Sequence, residues 1–294
     1  MQNPTTYDEQ IDILIERGII VKDRNFAKQV LSNLSYYTFT TYIYQYKDLE
    51  GNYEKNITFE QIYRIYLFDM KFRNILLYTL EIIEASLKTK IAYYSAHKLG
   101  PLGYLDERNF KDSKEFRILT DKLNNLLKKN RKVDFIDYYS RKYDGDLPIW
   151  VSINMFSMGM LYNYYKNLSE YNKISGEKTV KKSVASEYNT GANQLCSWIE
   201  NISYIRNMLA HYMRVYNVKL KKTPAKCKKN HGKSCNVTNR IFDTVYIMKF
   251  LVLNKEQWNN NILIKIICLF EEYKDVIDIS LLGFPENWEK VLKK

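Results

Sequence analysis

Apolar positions recur every three to four residues along most of this chain, the period of α-helices that each bury one face. The spacing predicts helices over 7–17, 26–34, 58–97, 113–129, 134–143, 178–187 and 192–217, and over 241–253 and 255–274 after a polar stretch. Local signals support these limits. Thr5 and Thr6 stand as N-caps before the first helix, and Gly18 follows it. Asp23 precedes the second, whose Phe26, Val30 and Leu34 share a face. Thr58 with Gln61 fits a capping box at the head of the longest helix, and Gly100 and Pro101 end it. Gly145 stops the helix at 134–143, and Pro148 opens another across LPIWVSINMFSMGMLYNYYKNL. The last helical pattern is LLGFPENWEKVL. Segment 36–46 is so rich in Tyr, Thr and Phe that period cannot separate helix from strand, and only its helical surroundings favour helix.

The expected fold class is therefore all-α. With only 10 Gly and 5 Pro there is little material for tight hairpins. The reading is a helical bundle over 51–294, with 1–50 as a small N-terminal helical subdomain, standing apart or merged with the main body. No internal repeat and no glycine-rich phosphate loop is visible. The longest apolar run, 262–270, is broken by Lys265 and is far too short to span a bilayer. The polar start MQNPTTYDEQ has no secretory character, and four scattered cysteines make no disulfide framework. A cytoplasmic protein with reduced thiols, no membrane contact and no cofactor is expected.

Charge changes the picture in one place. The net charge is +12, and 219–240, KLKKTPAKCKKNHGKSCNVTNR, holds seven Lys, one Arg and no acid. That segment carries +8, which leaves +4 for all other residues. Lys219, Lys221, Lys222, Lys226, Lys228, Lys229 and Lys233 are candidate contacts to a polyanion such as RNA. The same run also reads as a solvated basic loop. Within it, Cys227, His231 and Cys235 are spaced C-x3-H-x3-C. A zinc site would need a fourth ligand and usually a tighter C-x2-C pair, so no metal is expected.

Directly before this loop lies WIENISYIRNMLAHYMRVYN, which holds one of the chain's three histidines. On a helical projection Trp198, Ile202, Ile205, Leu209, Tyr212 and Tyr216 form the core stripe. Glu200, Ser203, Asn207, His211 and Arg214 lie opposite, with Asn207, His211 and Arg214 spaced to meet. Arg206 falls about 140° from His211 at 100° per residue. One rigid helix would not join the two, whereas two copies facing each other would gather both pairs in one cleft, so a homodimer is expected. Histidine titrates near neutrality and can move protons of a ribose hydroxyl or a leaving oxygen. Arginine offers a permanent planar fork to phosphate. The pair suits metal-free cleavage of RNA by its own 2′-hydroxyl, leaving a 2′,3′-cyclic phosphate. The bare spacing also fits a solvated polar face with a surface histidine.

The ordered blocks carry more than the pair. The motif helix is similar to the RxxxxH motif of HEPN-domain ribonucleases. The chain resembles the Abi-like (AbiD/AbiF) family of abortive-infection proteins through IDILIERGIIVKDRNFAKQVLSNLSYYTFTTY, LFDMKFRNILLYTLEIIEASLKTKIAYY, GPLGYLDERNF, LPIWVSINMFSMGMLYNYYKNL, YIRNMLAHYMRVYN and LLGFPENWEKVL. The resemblance implies a HEPN-like bundle and an endoribonuclease of an anti-phage or toxin-like system. A non-catalytic protein that holds a structured RNA through its basic loop and Arg/His cleft is the alternative. By the same resemblance Arg206, Asn207 and His211 take the catalytic positions, Arg214 is the trailing arginine, and RNA is the partner, as substrate or as a bound non-coding RNA. No antitoxin is named by the sequence. Asn154 departs from a common Glu and Tyr212 from a common second His. Met213, two residues after His211, departs from the H-x-Y pattern that links some HEPN toxins to tyrosine-modifying antitoxins. Glu84 and Lys88 read as a surface ion pair on the long helix, where an acid beside the motif helix, Glu81 or Glu84, would orient Arg206 or His211.

Overall fold

The computed structural model describes residues 3–46, 56–170, 179–225 and 237–294. Their order is α1 (Tyr7–Glu16), α2 (Arg24–Asn33), α3 (Tyr36–Thr41), α4 (Phe59–Leu99), α5 (Ser113–Asn130), α6 (Asp134–Lys142), α7 (Ile149–Ser152), α8 (Met158–Asn167), α9 (Val180–Glu187), α10 (Ala192–Ala210), α11 (Ile241–Leu251), α12 (Ile264–Tyr273) and α13 (Trp288–Leu292). Among the described residues there is no sheet, only isolated bridges such as Ile20 with Thr58. The protein is all-α.

The caps explain the starts. Thr6 and Glu9 form a reciprocal capping box on α1, and Thr58 and Gln61 form one on α4. Asp23 accepts from the backbone N–H groups of Asn25 and Phe26. Each cap satisfies donors that the first helical turn leaves open. The ambiguous segment 36–46 is a short helix followed by a 3-10 turn at Tyr44–Tyr46. Ser35 caps it, and Phe39 stacks on Phe59 with ring centroids 4.3 Å apart.

The axis of the fold is α4, whose 41 residues extend for about 60 Å at 1.5 Å per residue. Its buried positions, including Ile62, Ile65, Phe72, Leu76, Leu80, Ile83 and Leu87, recur at helical spacing. Helices α7 to α12, α3 and the 3-10 turns Gly103–Leu105 and Ile153–Met155 pack along its length. The N-terminal helices share this core, since Ile11, Leu14, Val30 and Leu31 belong to the same buried cluster.

Two expected helices are interrupted. The pattern from Pro148 splits into α7, a 3-10 turn at Ile153–Met155 and α8, because Ser157 takes extended backbone and caps Met160. The pattern over 255–274 contains a π-helical stretch, Gln257–Leu263, before α12. π segments are uncommon and shift the helical register. Here the shift accompanies bonds from Trp258 to the Leu292 carbonyl and from Asn261 to the Tyr78 hydroxyl.

Candidate active site

The motif lies on α10, which packs against α4, α8, α9 and α11. Trp198, Ile202, Ile205 and Leu209 form its buried stripe. The helix ends at Ala210, seven residues before the expected limit at 217, and His211 is its C-cap. The chain then reverses: the backbone N–H groups of His211, Tyr212 and Met213 donate to the carbonyls of Asn207, Leu209 and Met208. Tyr212 adopts φ 56°, a left-handed conformation that costs a non-glycine residue roughly 1–2 kcal/mol.

A buried polar hub holds the reversed chain in place. Asp69, on the core face of α4 and 0% exposed, accepts from the backbone N–H of Tyr216 at 2.7 Å and of Val215 at 3.1 Å. It also accepts from the Tyr42 hydroxyl at 2.7 Å and pairs with Arg73 one turn along the helix. Burial pushes the Asp69 carboxyl above its usual range, against the pull of Arg73, Tyr42 and the two N–H groups. Arg214 leaves the surface: its guanidinium bonds the Thr41 carbonyl and lies over the Tyr42 ring, 5.7 Å from the centroid. Burial lowers its pKa.

These positions correct the helical projection. Tyr212 is not on the core stripe but 81% exposed, and Ser203 is buried. Arg214 does not share a face with Asn207 and His211, because the helix has ended and the side chain turns inward. Asn207 and His211 are both exposed at the helix end. Arg206, on another side, opens into a cavity of about 710 Å3 between α4, α10 and the turn after α7. Glu81, Glu84, Lys88 and Asn154 also line it; His211 is not in its wall. Glu84 and Lys88 pair at 2.8 Å with side chains 21% and 15% exposed, so they are a half-sunken pair rather than a free surface one.

The basic segment doubles back along α10. Trp198 donates through Nε1 to the Ala225 carbonyl, Asn201 through Nδ2 to the Lys222 carbonyl, and the Ala225 N–H donates to Ser197. Leu220 and Asn239 join the two ends of the loop stem. Lys219 and Lys221 are exposed, while Lys222 pairs with Glu200 at 2.8 Å. Trp198 and Asn201 stand eight and five residues before Arg206, so the stem contacts lie about 7.5–12 Å along the helix from it. Lys226, Lys228, Lys229 and Lys233, together with Cys227, His231 and Cys235, lie outside the described residues. Among the described residues no group of three or more His, Cys, Asp or Glu could hold a metal ion.

Asp69, Arg73 and Tyr42 were not among the sequence candidates. The signal was present: Asp69 falls on the Ile62–Ile65–Phe72–Leu76 stripe, where a polar residue needs buried partners.

A family model described as Abi-like protein matches residues 29–217, well over half of the chain. The chain belongs to the Abi-like protein family. The Abi-like match begins inside α2 and ends just after the residues that Asp69 holds. It takes in Asp69, Arg73, the cavity wall of α4, Asn154 and the whole motif helix, and leaves out the basic segment and α11 to α13. No curated protein and no solved structure matches the chain. No helix among the described residues is long and apolar enough to cross a membrane.

Proposed function

We propose that this Abi-like protein is a metal-independent endoribonuclease with an abortive-infection or toxin-like role, built on a HEPN-type Arg206–His211 motif. The observation that carries the reading is the state of the motif end. Arg206, Asn207 and His211 are solvent-facing polar residues on an otherwise well-packed helix, and the turn that presents His211 is held by a buried polar hub. A hub of that kind fixes a backbone which its own left-handed residue disfavours, and such spending of stability is frequent at functional sites.

In the proposed reaction the ribose 2′-hydroxyl gives its proton to one histidine, and its oxygen attacks the adjacent phosphorus. The bond from phosphorus to the 5′-oxygen breaks, and the departing oxygen takes a proton from a second histidine. The products are a 2′,3′-cyclic phosphate and a 5′-hydroxyl. Arg206 stabilises charge on the phosphoryl oxygens, and Asn207 orients the imidazole or the ribose. Each motif has one histidine, so the second comes from another copy of the chain. Two observations support such a pairing: Arg206 lines a cavity from whose wall His211 is absent, and Tyr212 and Met213 beside His211 are exposed. Lys219, Lys221 and the further lysines of the basic segment, Lys226 to Lys233, would guide RNA electrostatically.

The test is incubation of the purified chain with labelled single-stranded RNA in EDTA. Wild type cuts and leaves cyclic phosphate ends, DNA survives, and His211→Ala and Arg206→Ala do not cut. Cleavage that persists in both variants, or that needs Mg²⁺, overturns the mechanism. Salt-sensitive binding without any cleavage favours the alternative, a protein that holds RNA without cutting it.

A further inference from the structure

The cavity beside Arg206 has a charge pattern that phosphate binding alone does not explain. Two carboxylates and two cations line it, so its formal charge is zero, which is unsuited to a tract of phosphates. Glu84 is neutralised by Lys88. Lys88 also reaches the Asn154 carbonyl at 3.4 Å, and the Asn154 amide donates to the carbonyls of Trp150 and Val151. That leaves one anion and one cation: neither Glu81 nor Arg206 has an ion pair or hydrogen-bonded side-chain partner among the described residues, although both face the same space. Leu77 and the buried Leu80 add apolar surface to the same lining. Tyr78 forms part of the rim, held by the Asn261 amide at 3.2 Å and by the Lys265 ammonium 4.8 Å above its ring. The volume, about 710 Å3, lies within the roughly 300–1,000 Å3 of small-ligand sites.

We infer that this cavity is a nucleotide subsite that selects guanine, with Glu81 reading the base and Arg206 holding a phosphate of the same strand. An ionised carboxylate only accepts hydrogen bonds, through two oxygens side by side. The Watson–Crick edge of guanine presents two adjacent donors, N1–H and the N2 amino group, which match that fork. Adenine and cytosine place a bare ring nitrogen beside their amino group, and uracil flanks its single N–H with two carbonyls. Each of those edges sets an acceptor against one carboxylate oxygen. Unstacked bases in single-stranded RNA are open to this kind of reading. Arg206 and His211 diverge by about 140° around α10, so in the paired arrangement proposed above the phosphate that Arg206 holds is the one being cut, and the base seated here belongs to the adjoining nucleotide. Glu81 is thus a specificity-determining residue. The inference takes its placement of RNA from the ribonuclease reading but does not depend on cleavage.

Calorimetric titration of the full chain with the four nucleoside 5′-monophosphates tests it, beside mapping of cut sites in a mixed-sequence RNA. Guanosine monophosphate is expected to bind about tenfold or more tightly than the other three. Glu81→Gln and Glu81→Ala should each flatten that preference, and Arg206→Ala should weaken all four alike. Equal affinities, no measurable binding, or a guanine preference that survives both Glu81 variants overturns the proposal. Cutting with no guanosine at a fixed place beside the cut overturns it while leaving the ribonuclease reading intact. Glu81-dependent guanosine binding with no cleavage does the reverse.

Discussion

Helix α4 carries two acid–base pairs with the same one-turn spacing, Asp69–Arg73 and Glu84–Lys88, and they do opposite things. The first is sealed: Asp69 is fully buried, Arg73 nearly so, and every contact of Asp69 faces inward, to Tyr42 and to the backbone beyond His211. The second keeps partial access to water and borders the cavity that Arg206 enters. Identical spacing therefore says little about the work of a charge pair. What separates them is what arrives opposite. The reversed chain at 215–216 brings two backbone N–H groups down onto Asp69. Against the second pair come the Asn154 carbonyl after α7, which Lys88 reaches at 3.4 Å, and the open cavity shared with Arg206.

The largest expected effect lies on the sealed pair. Asp69→Ala strands Arg73 and two backbone N–H groups in the core and should cost about 3–5 kcal/mol. Glu84→Ala leaves Lys88 with the Asn154 carbonyl and partial access to water, and should cost less, about 1–2 kcal/mol. Urea denaturation of both variants checks the difference, and similar losses would break the comparison. Tyr42→Phe is a milder probe of the hub. It removes the hydroxyl that joins Asp69 to Arg73 and should cost roughly 1 kcal/mol. Because Asp69 keeps both backbone bonds, RNA cleavage by Tyr42→Phe should persist. Loss of cleavage without loss of stability would give that hydroxyl a part in the site itself.

A third probe crosses from the hub to the cavity. Arg206→Ala removes an exposed side chain with no ion pair among the described residues, so stability should change by no more than about 0.5 kcal/mol. Cleavage should nonetheless be abolished, and Asn207→Ala should lie between wild type and Arg206→Ala in rate. Measuring melting temperature and cleavage on the same samples separates the two kinds of residue. A large thermal shift in Arg206→Ala would make it structural rather than functional.

The helices were legible because their signals are local. Apolar period and caps at Thr6, Asp23 and Thr58 set most starts correctly, and the buried stripe of α10 was placed from Trp198 to Leu209. The errors sit where tertiary contacts override local pattern. Nothing near Ala210 announces a stop: no glycine or proline follows, and the apolar period runs on through Tyr212 and Tyr216. The chain turns back through local bonds at 211–213, and Asp69, 146 residues away in sequence from Val215, then holds the N–H groups of Val215 and Tyr216. Tyr216 is buried as expected, but from the returning chain rather than from the helix. Arg214 was placed on the polar face for the same reason, since its destination at Thr41 and Tyr42 lies in another part of the sequence. The divergence of Arg206 from His211 follows from the helical period alone, and Arg206 lines the cavity while His211 does not. The cavity was out of reach, since it takes three separate elements to enclose it.

The smallest effect belongs to a third acid–base pair that joins the motif helix to the basic segment. Glu200 on α10 is held below its usual pKa, first by its hydrogen bond to Lys222. A carboxylate with a lowered folded-state pKa stabilises the protein above its ordinary value, here 4.5, and loses that contribution as pH falls through the folded value. Both side chains are a third or more exposed, so the contribution at neutral pH should be about 0.5 kcal/mol or less. Glu200→Gln should therefore melt slightly below wild type at neutral pH and together with it in acid. The stem itself should stay in place, because Trp198 and Asn201 hold it by bonds to the Ala225 and Lys222 carbonyls that do not titrate. If RNA affinity in Glu200→Gln rises by no more than one freed lysine allows, the stem is anchored by those bonds. A larger change would mean that the ion pair, and not the backbone, sets where the basic segment meets RNA.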